Sequence, residues 1–213
     1  MEIILVLVIS YLIGSIPTAL IAGKLQKNID IREHGSGNAG ATNVLRILGW
    51  KTALLVLLID MFKGFVAVYW VVSIIPDVKS ADTFAFYQIL AGLSAICGHI
   101  WTVFARFKGG KGVGTAAGVF LGLQPIPVLI CLVIFIGIVY RTHYVSLGSI
   151  TAAVLLPIIL LLQKFGLDRP VPYPHIAIGI ILAILIVITH RENISRLAEG
   201  TENKINFKKG EEK

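Results

Sequence analysis

An all-α, polytopic transmembrane helical bundle is the fold class this sequence predicts, with about seven spans in one integral-membrane domain over residues 1–213. Three observations point there. Hydrophobic residues make up 56% of the chain and charged residues only 15%, where a soluble domain carries roughly a quarter charged. The apolar residues gather in runs of bilayer-spanning length, and no polar linker divides them. The basic residues fall almost entirely in alternate connections between those runs, hence on one side.

Taken in order, the first run, Ile3–Ala22, follows Met1-Glu2 without a positive n-region, so it is read as a retained helix and not a cleaved signal. Thr52–Ile75 and Phe84–Phe104 reach the length of about 20 residues that a span needs. Val113–Leu123 and Pro127–Tyr140 are short, and a single pass through Gln124-Pro125-Ile126-Pro127 is the alternative drawing. Ser146–Leu162 and Ile176–Thr189 complete the set. Charge separates the two drawings. Seven spans place fifteen basic residues on one side and three on the other, whereas merging the short runs gives ten against eight. The positive-inside rule therefore favours seven spans, with the N-terminus outside and the C-terminus cytoplasmic. The prolines then form the outer turn of a hairpin, which suits their missing amide donors.

The net charge of +7 follows this topology, so it does not mark a nucleic-acid surface. From Arg191 onward six basic residues are balanced by five acidic ones, which argues against a polybasic lipid anchor. That stretch reads as a solvated helix with a frayed end. Cys97 and Cys131 lie inside apolar runs and the five histidines are scattered, so neither a disulfide nor a metal site is expected, and no cofactor.

Polar residues concentrate in a few stretches on the positive side. Gly35-Ser36-Gly37-Asn38-Ala39-Gly40-Ala41-Thr42-Asn43, followed by Arg46, combines tight-turning glycines with free amides and hydroxyls. Arg106-Phe107-Lys108-Gly109-Gly110-Lys111-Gly112 leads into the fourth run; Gly112 after Lys111, and no preceding strand, exclude a Walker A loop. Ser146 and Ser149 open the sixth run, where a serine is also an ordinary N-cap. In the seven-span drawing all three stretches feed helix N-termini on one face. Each such terminus carries unsatisfied amides and about half a positive charge. Together they suit phosphate oxyanions. His190 and Asn193 share one helical face after the last run. Asp60 and Lys63 lie within the second run, spaced to pair, as either a functional or an orienting ion pair.

Five blocks, in order, resemble a known family: GSGNAGATNVLR from Gly35, DMFKG from Asp60, GHIWTVFARFKGGKGVGTA from Gly98, YVSLGSI from Tyr144 and HRENISRLAEGTE from His190. The chain is similar over nearly its whole length to the bacterial membrane glycerol-3-phosphate acyltransferases of the PlsY type, which use acyl phosphate. Thr102 stands where the family commonly has proline, and Gly114 where it has alanine. The resemblance implies acyl transfer from acyl phosphate to the sn-1 hydroxyl of glycerol 3-phosphate, early in phospholipid synthesis, in a bacterial inner membrane with the site on the cytoplasmic face. It puts Ser36 and Arg46 in the active site, makes His190 and Asn193 catalytically important, gives Gly109, Gly110 and Gly112 to the glycerol-phosphate loop, and leaves Glu202 a structural role.

The residues fit that chemistry. Arg46, Lys108, Lys111 and the loop amides are expected to clamp the two phosphates, with Asn38, Thr42, Asn43, Ser146 and Ser149 around them. Ser36 and Asn193 would orient substrate oxygens. His190 or a substrate phosphate oxygen would take the proton, and both stay open. No histidine has Asp five positions later, so the motif of CoA-dependent glycerolipid acyltransferases is missing. Glycerol 3-phosphate, acyl phosphate and membrane lipid are the expected partners, and the chain is expected to act as a monomer. A transporter or channel for a phosphorylated solute is the alternative. Against it stand basic groups at one face and the lack of an inverted repeat.

Overall fold

The computed structural model describes residues 2–74 and 80–205. Among the described residues the regular structure is helical throughout: α1 (Glu2–Ser15), α2 (Thr18–Lys27), α3 (Ala41–Leu48), α4 (Trp50–Val66), α5 (Ala81–Ile100), α6 (Val113–Leu123), α7 (Pro125–Thr142), α8 (Val145–Leu161), α9 (Tyr173–Thr189) and α10 (Arg191–Ala198). Among the described residues each apolar run is largely helical. The end of the second run at Ile75, the outer Lys79, and the tail's Lys208, Lys209 and Lys213 lie outside the described residues.

Length and apolarity qualify five stretches as spans: Glu2–Lys27, Trp50–Val71, Ala81–Ala105, Pro125–Thr142 and Val145–Gly166. A sixth arises if α9 and α10, bent by 60° at their junction, are taken together. Helix α6 has only 11 residues, about 16 Å at 1.5 Å per residue. It is nevertheless a helix of its own, because Gln124 is extended between it and α7 and Pro125 starts α7 where no amide is needed.

The first run is not one helix, a break that the sequence reading did not anticipate. Pro17 has no amide to continue the ladder, so α1 stops at Ser15 and α2 restarts at Thr18. The carbonyls freed by this break find partners elsewhere. Lys63 Nζ donates to Gly14 O at 3.2 Å and Ile16 O at 2.8 Å. The Thr102 hydroxyl donates to Ser15 O, a bond that proline at that position could not make. Asp60, 2.7 Å from Lys63, accepts from Thr18 Oγ1 at 3.0 Å. The ion pair of α4 thus straddles the break, its ammonium at the negative end of α1 and its carboxylate at the positive end of α2. Asp60 also lines the cavity described below.

Close helix crossings rest on small residues, as is usual where lipid removes the hydrophobic drive to associate. A methyl on Gly14 would lie 2.0 Å from Ala95 O, and one on Gly98 2.2 Å from Tyr11 O, joining α1 to α5. Gly64 and Gly118 join α4 to α6 in the same way, with added methyls 2.1 Å from Thr115 O and 1.7 Å from Met61 O. Behind these contacts Val68, Ile96, Val119, Phe120, Leu160, Ile178 and Leu182 form a fully buried core. Leu54 and Leu58 on α4, and Leu129 and Val133 on α7, are exposed, as lipid-facing side chains are.

Candidate active site

A cavity of about 310 Å³ opens at one end of the bundle, within the usual size range for small-molecule sites. Its wall takes Ser36, Asn38, Thr42, Asn43 and Arg46 from the first polar stretch, and Lys111, Gly112 and Gly114 from the second. Ser146 and Ser149 come from the third, and His190, Asn193, Arg196 and Glu202 from the fourth. Four stretches far apart in sequence therefore meet. Their meeting follows from chain reversal: α6 and α8 begin at the cavity, α5 and α9 end beside it, and α7 returns toward it through Phe135.

The helix that follows the first stretch corrects one expectation. Ser36 to Thr42 lead into the short helix α3, not into the second span, because Gly49 at φ +88° separates α3 from α4. Arg46 thus stands on α3, with its Nη2 donating to Asn203 O at 3.3 Å. Lys27 closes the same C-terminal end of α3, its ammonium donating to Ile47 O at 2.9 Å. Asn43, fully buried, spends its side chain on backbone: it accepts from Ser36 N at 2.8 Å and donates to Ile31 O at 2.9 Å and His34 O at 3.0 Å. It shapes the loop that presents Ser36.

The second stretch corrects another. Lys108, Gly109 and Gly110 are not part of the cavity wall. The Gly109 amide donates to Ile100 O at 2.9 Å and the Gly110 amide to His99 O at 3.1 Å. These carbonyls lack intrahelical partners at the end of α5. Amides so engaged are not free for a phosphate, and Lys108 is exposed outside the cavity wall. The amides of this stretch that lack intrahelical acceptors are those that open α6 after Gly112, which takes φ +86° to turn the chain into the helix.

Glu202 ties the remaining wall together. Buried to 8% exposure, it accepts from Ser146 Oγ at 2.9 Å, Asn193 Nδ2 at 2.6 Å and Arg196 Nε at 2.7 Å. Asn193 Oδ1 in turn accepts from the Lys111 ammonium. The openings of α6 and α8 and the whole of α10 are thereby held to one carboxylate. The tail continues over the α7–α8 turn, where Ile205 N donates to His143 O at 2.8 Å. Ser149 Oγ donates to Val145 O at 2.9 Å within α8.

Burial alone would raise the Glu202 carboxyl, but the bonds from Asn193, Arg196 and Ser146 outweigh it and hold it below the usual value. A depressed folded value means stability that is complete above the unfolded-chain value, about 4.3, and lost as pH falls below it toward the folded value. The melting advantage of the wild type over Glu202→Gln in detergent is therefore expected to be constant from pH 7 to 5 and to shrink below pH 4. An advantage that grew on acidification would contradict the network. Burial, then the nearby Arg196 charge, pushes the Lys111 ammonium down.

His190 lies at the junction of α9 and α10, 4% exposed, with Nδ1 2.8 Å from Ile186 O. A carbonyl only accepts, so Nδ1 carries a proton and Nε2 is the nitrogen left for exchange. Sequence reasoning missed His99, Arg196 and Asn203 as wall residues. Arg196 stands three residues beyond Asn193 on the same helical face, a spacing that was readable. No cluster of three or more metal-ligating side chains occurs among the described residues.

Fold and site together define an integral-membrane protein with a polar cavity at one end of its helices, lined by Arg46, Lys111 and Arg196 together with Asp60, Glu192 and Glu202, and opened by helix N-termini. Comparison with known proteins narrows this class. The family model described as "Glycerol-3-phosphate acyltransferase" matches residues 4–200, and the chain belongs to that family. The glycerol-3-phosphate acyltransferase of Chlorobium chlorochromatii (strain CaD3) is 46% identical, over 96% of this chain and 97% of its own. That of Chlorobaculum tepidum (strain ATCC 49652 / DSM 12025 / NBRC 103806 / TLS) is 45% identical, over 95% and 96%. Crystal structures of PlsY (YgiH), an integral membrane glycerol 3-phosphate acyltransferase, align at 35% identity over 97% of this chain and 96% of that one. The TM-scores are 0.84 for the glycerol 3-phosphate form and 0.82 for the lysophosphatidic acid form.

Proposed function

We propose that this chain transfers a fatty acyl group from acyl phosphate to the sn-1 hydroxyl of glycerol 3-phosphate, giving 1-acyl-glycerol 3-phosphate and inorganic phosphate for phospholipid synthesis. The observation that carries this reading is the meeting of Arg46, Lys111, Arg196 and the amino ends of α3, α6 and α8 at one cavity, in a chain of the glycerol-3-phosphate acyltransferase family. Both substrates bear phosphate, and the acyl chain of the donor belongs in lipid.

The donor is already activated, so the protein supplies position and charge. Arg46, Lys111 and the α6 amides hold phosphate oxygens, while Ser36 and Asn193 orient the substrates. The glycerol hydroxyl attacks the acyl carbonyl, a new ester C–O bond forms, and the C–O bond to phosphate breaks with its electron pair leaving on phosphate. The hydroxyl proton goes to Nε2 of His190 or to a substrate phosphate oxygen, and either route is consistent with the geometry. Glu202, Asp60 and Lys63 act by holding the helices in place.

The chain works as a monomeric single domain in the bacterial inner membrane, with seven crossings, the N-terminus outside and the cavity and C-terminus cytoplasmic. The charge asymmetry and the alternation of helix ends at the cavity support this arrangement. An impermeant thiol reagent applied from outside is expected to modify a cysteine at position 126 and not one at exposed position 108; the reverse pattern overturns the orientation. For the activity, purified protein is expected to release phosphate from acyl phosphate only when glycerol 3-phosphate is added, with one ester formed per phosphate. Uptake of glycerol phosphate into vesicles without phosphate release would establish a transporter instead.

A further inference from the structure

The side chain of His99 has no part in the chemistry above, yet it is enclosed on every side by groups that do matter. It sits in the last turn of α5, 8% exposed, and lines both the main cavity and the small cleft beneath it. On one edge its Nδ1 lies 3.7 Å from Asp60 Oδ1, the carboxylate fixed by Lys63 at 2.7 Å and Thr18 Oγ1 at 3.0 Å. On the other edge it meets Gly110 so closely that a methyl there would stand 2.2 Å from Nε2. The main chain of His99 makes the complementary contact, its carbonyl accepting the Gly110 amide at 3.1 Å.

We propose that His99 is a positioning residue for glycerol 3-phosphate: wedged between Asp60 and Gly110, its ring sets where Lys111 and the opening of α6 stand against the substrate phosphate. The residue after Gly110 is Lys111, and Gly112 follows as the turn into α6, so a shift of the wedge is passed on within one or two residues. Packed interiors transmit such shifts instead of absorbing them. Gly110 is then glycine because the imidazole occupies the room of its missing side chain, and not because an anion lies against its backbone.

This inference rests on the cavity binding glycerol 3-phosphate, and the test keeps the two apart. Wild-type protein lacking glycerol-phosphate-dependent phosphate release would defeat the proposed function itself. Given active wild type, Gly110→Ala is expected to raise the KM for glycerol 3-phosphate on the order of 10-fold, within the roughly 10²-fold that a misplacement of about an ångström can cost, with a smaller effect on kcat. The second-site change His99→Ala removes the nearer obstacle and leaves the methyl only the Ala39 carbonyl oxygen, at 2.9 Å, to accommodate. The double variant is therefore expected to recover at least threefold of that loss, non-additivity of the kind contacting residues show. A double variant whose KM is the product of the single effects, or worse, overturns the proposal. A second measurement stands if His99→Ala does not insert. His99→Gln, which keeps bulk and a polar end, is expected to raise KM several-fold with kcat within about twofold, a split that marks lost substrate positioning. An unchanged KM, with kcat intact or collapsed, overturns it as well.

Discussion

Arg46→Lys is expected to lower acyl-phosphate-dependent turnover on the order of 10²–10³-fold, comparable to removing one preorganised donor from other sites, while membrane insertion and yield stay normal. Arginine grips phosphate with a planar fork of paired donors, whereas lysine offers one rotating point charge. Arg46 stands on α3, a short helix fixed at its end by Lys27 and entered through the loop that Asn43 bolts in place. One guanidinium nitrogen already bonds Asn203 O at 3.3 Å, which aims the rest of the fork at the cavity. Turnover assays on purified variant, after its yield has been matched to wild type, measure the loss. Near wild-type turnover would reduce Arg46 to a topology signal, since the positive-inside rule treats both residues alike.

The largest effect on stability is expected from Asp60→Ala. Asp60 and Lys63 are each 3% exposed, so the substitution leaves an ammonium uncompensated in the interior, with a cost of about 3–5 kcal/mol. The melting temperature in detergent should fall on the order of 10 °C, and yield should fall with it. Replacing both residues, as Asp60→Leu with Lys63→Met, should regain much of this loss, because no charge is then stranded. Recovery should stay incomplete, since Gly14 O and Ile16 O lose the donor that Lys63 supplies. A single variant as stable as wild type would show that solvent reaches the pair.

Much of this architecture could be read in advance, and the parts that could not have physical reasons. Apolar runs announce helices because lipid leaves a backbone no other partner, and Val113–Leu123 appears as α6 with the same limits. The gathering of four polar stretches at one face followed from alternating chain direction. What escaped were contacts made across the fold. The spacing of Asp60 and Lys63 suggested their pairing, but not that Lys63 would serve carbonyls of another helix. Glycines at 109 and 110 suggested an anion cradle, yet the ragged end of α5 competes for the same amides. Nothing in the apolar patterning announces that Gly49, at φ +88°, divides α3 from α4. His99 gave no signal of its own, because a histidine inside an apolar run is unremarkable until its neighbours are known.

The bonds that Glu202 accepts also bear on how the protein comes into being. Ser36 is made early and Glu202 late, yet both line one cavity. Domains and helices that leave the ribosome first settle first, so every apolar helix through α9 has been synthesised before Asn193, Arg196 and Glu202 exist. A nascent chain at that stage has its lipid-facing surfaces but not the carboxylate that fastens α6, α8 and α10 together. Competence therefore arrives only once the stretch through Glu202 has been made, and a product stopped before it would occupy the membrane without turning over substrate.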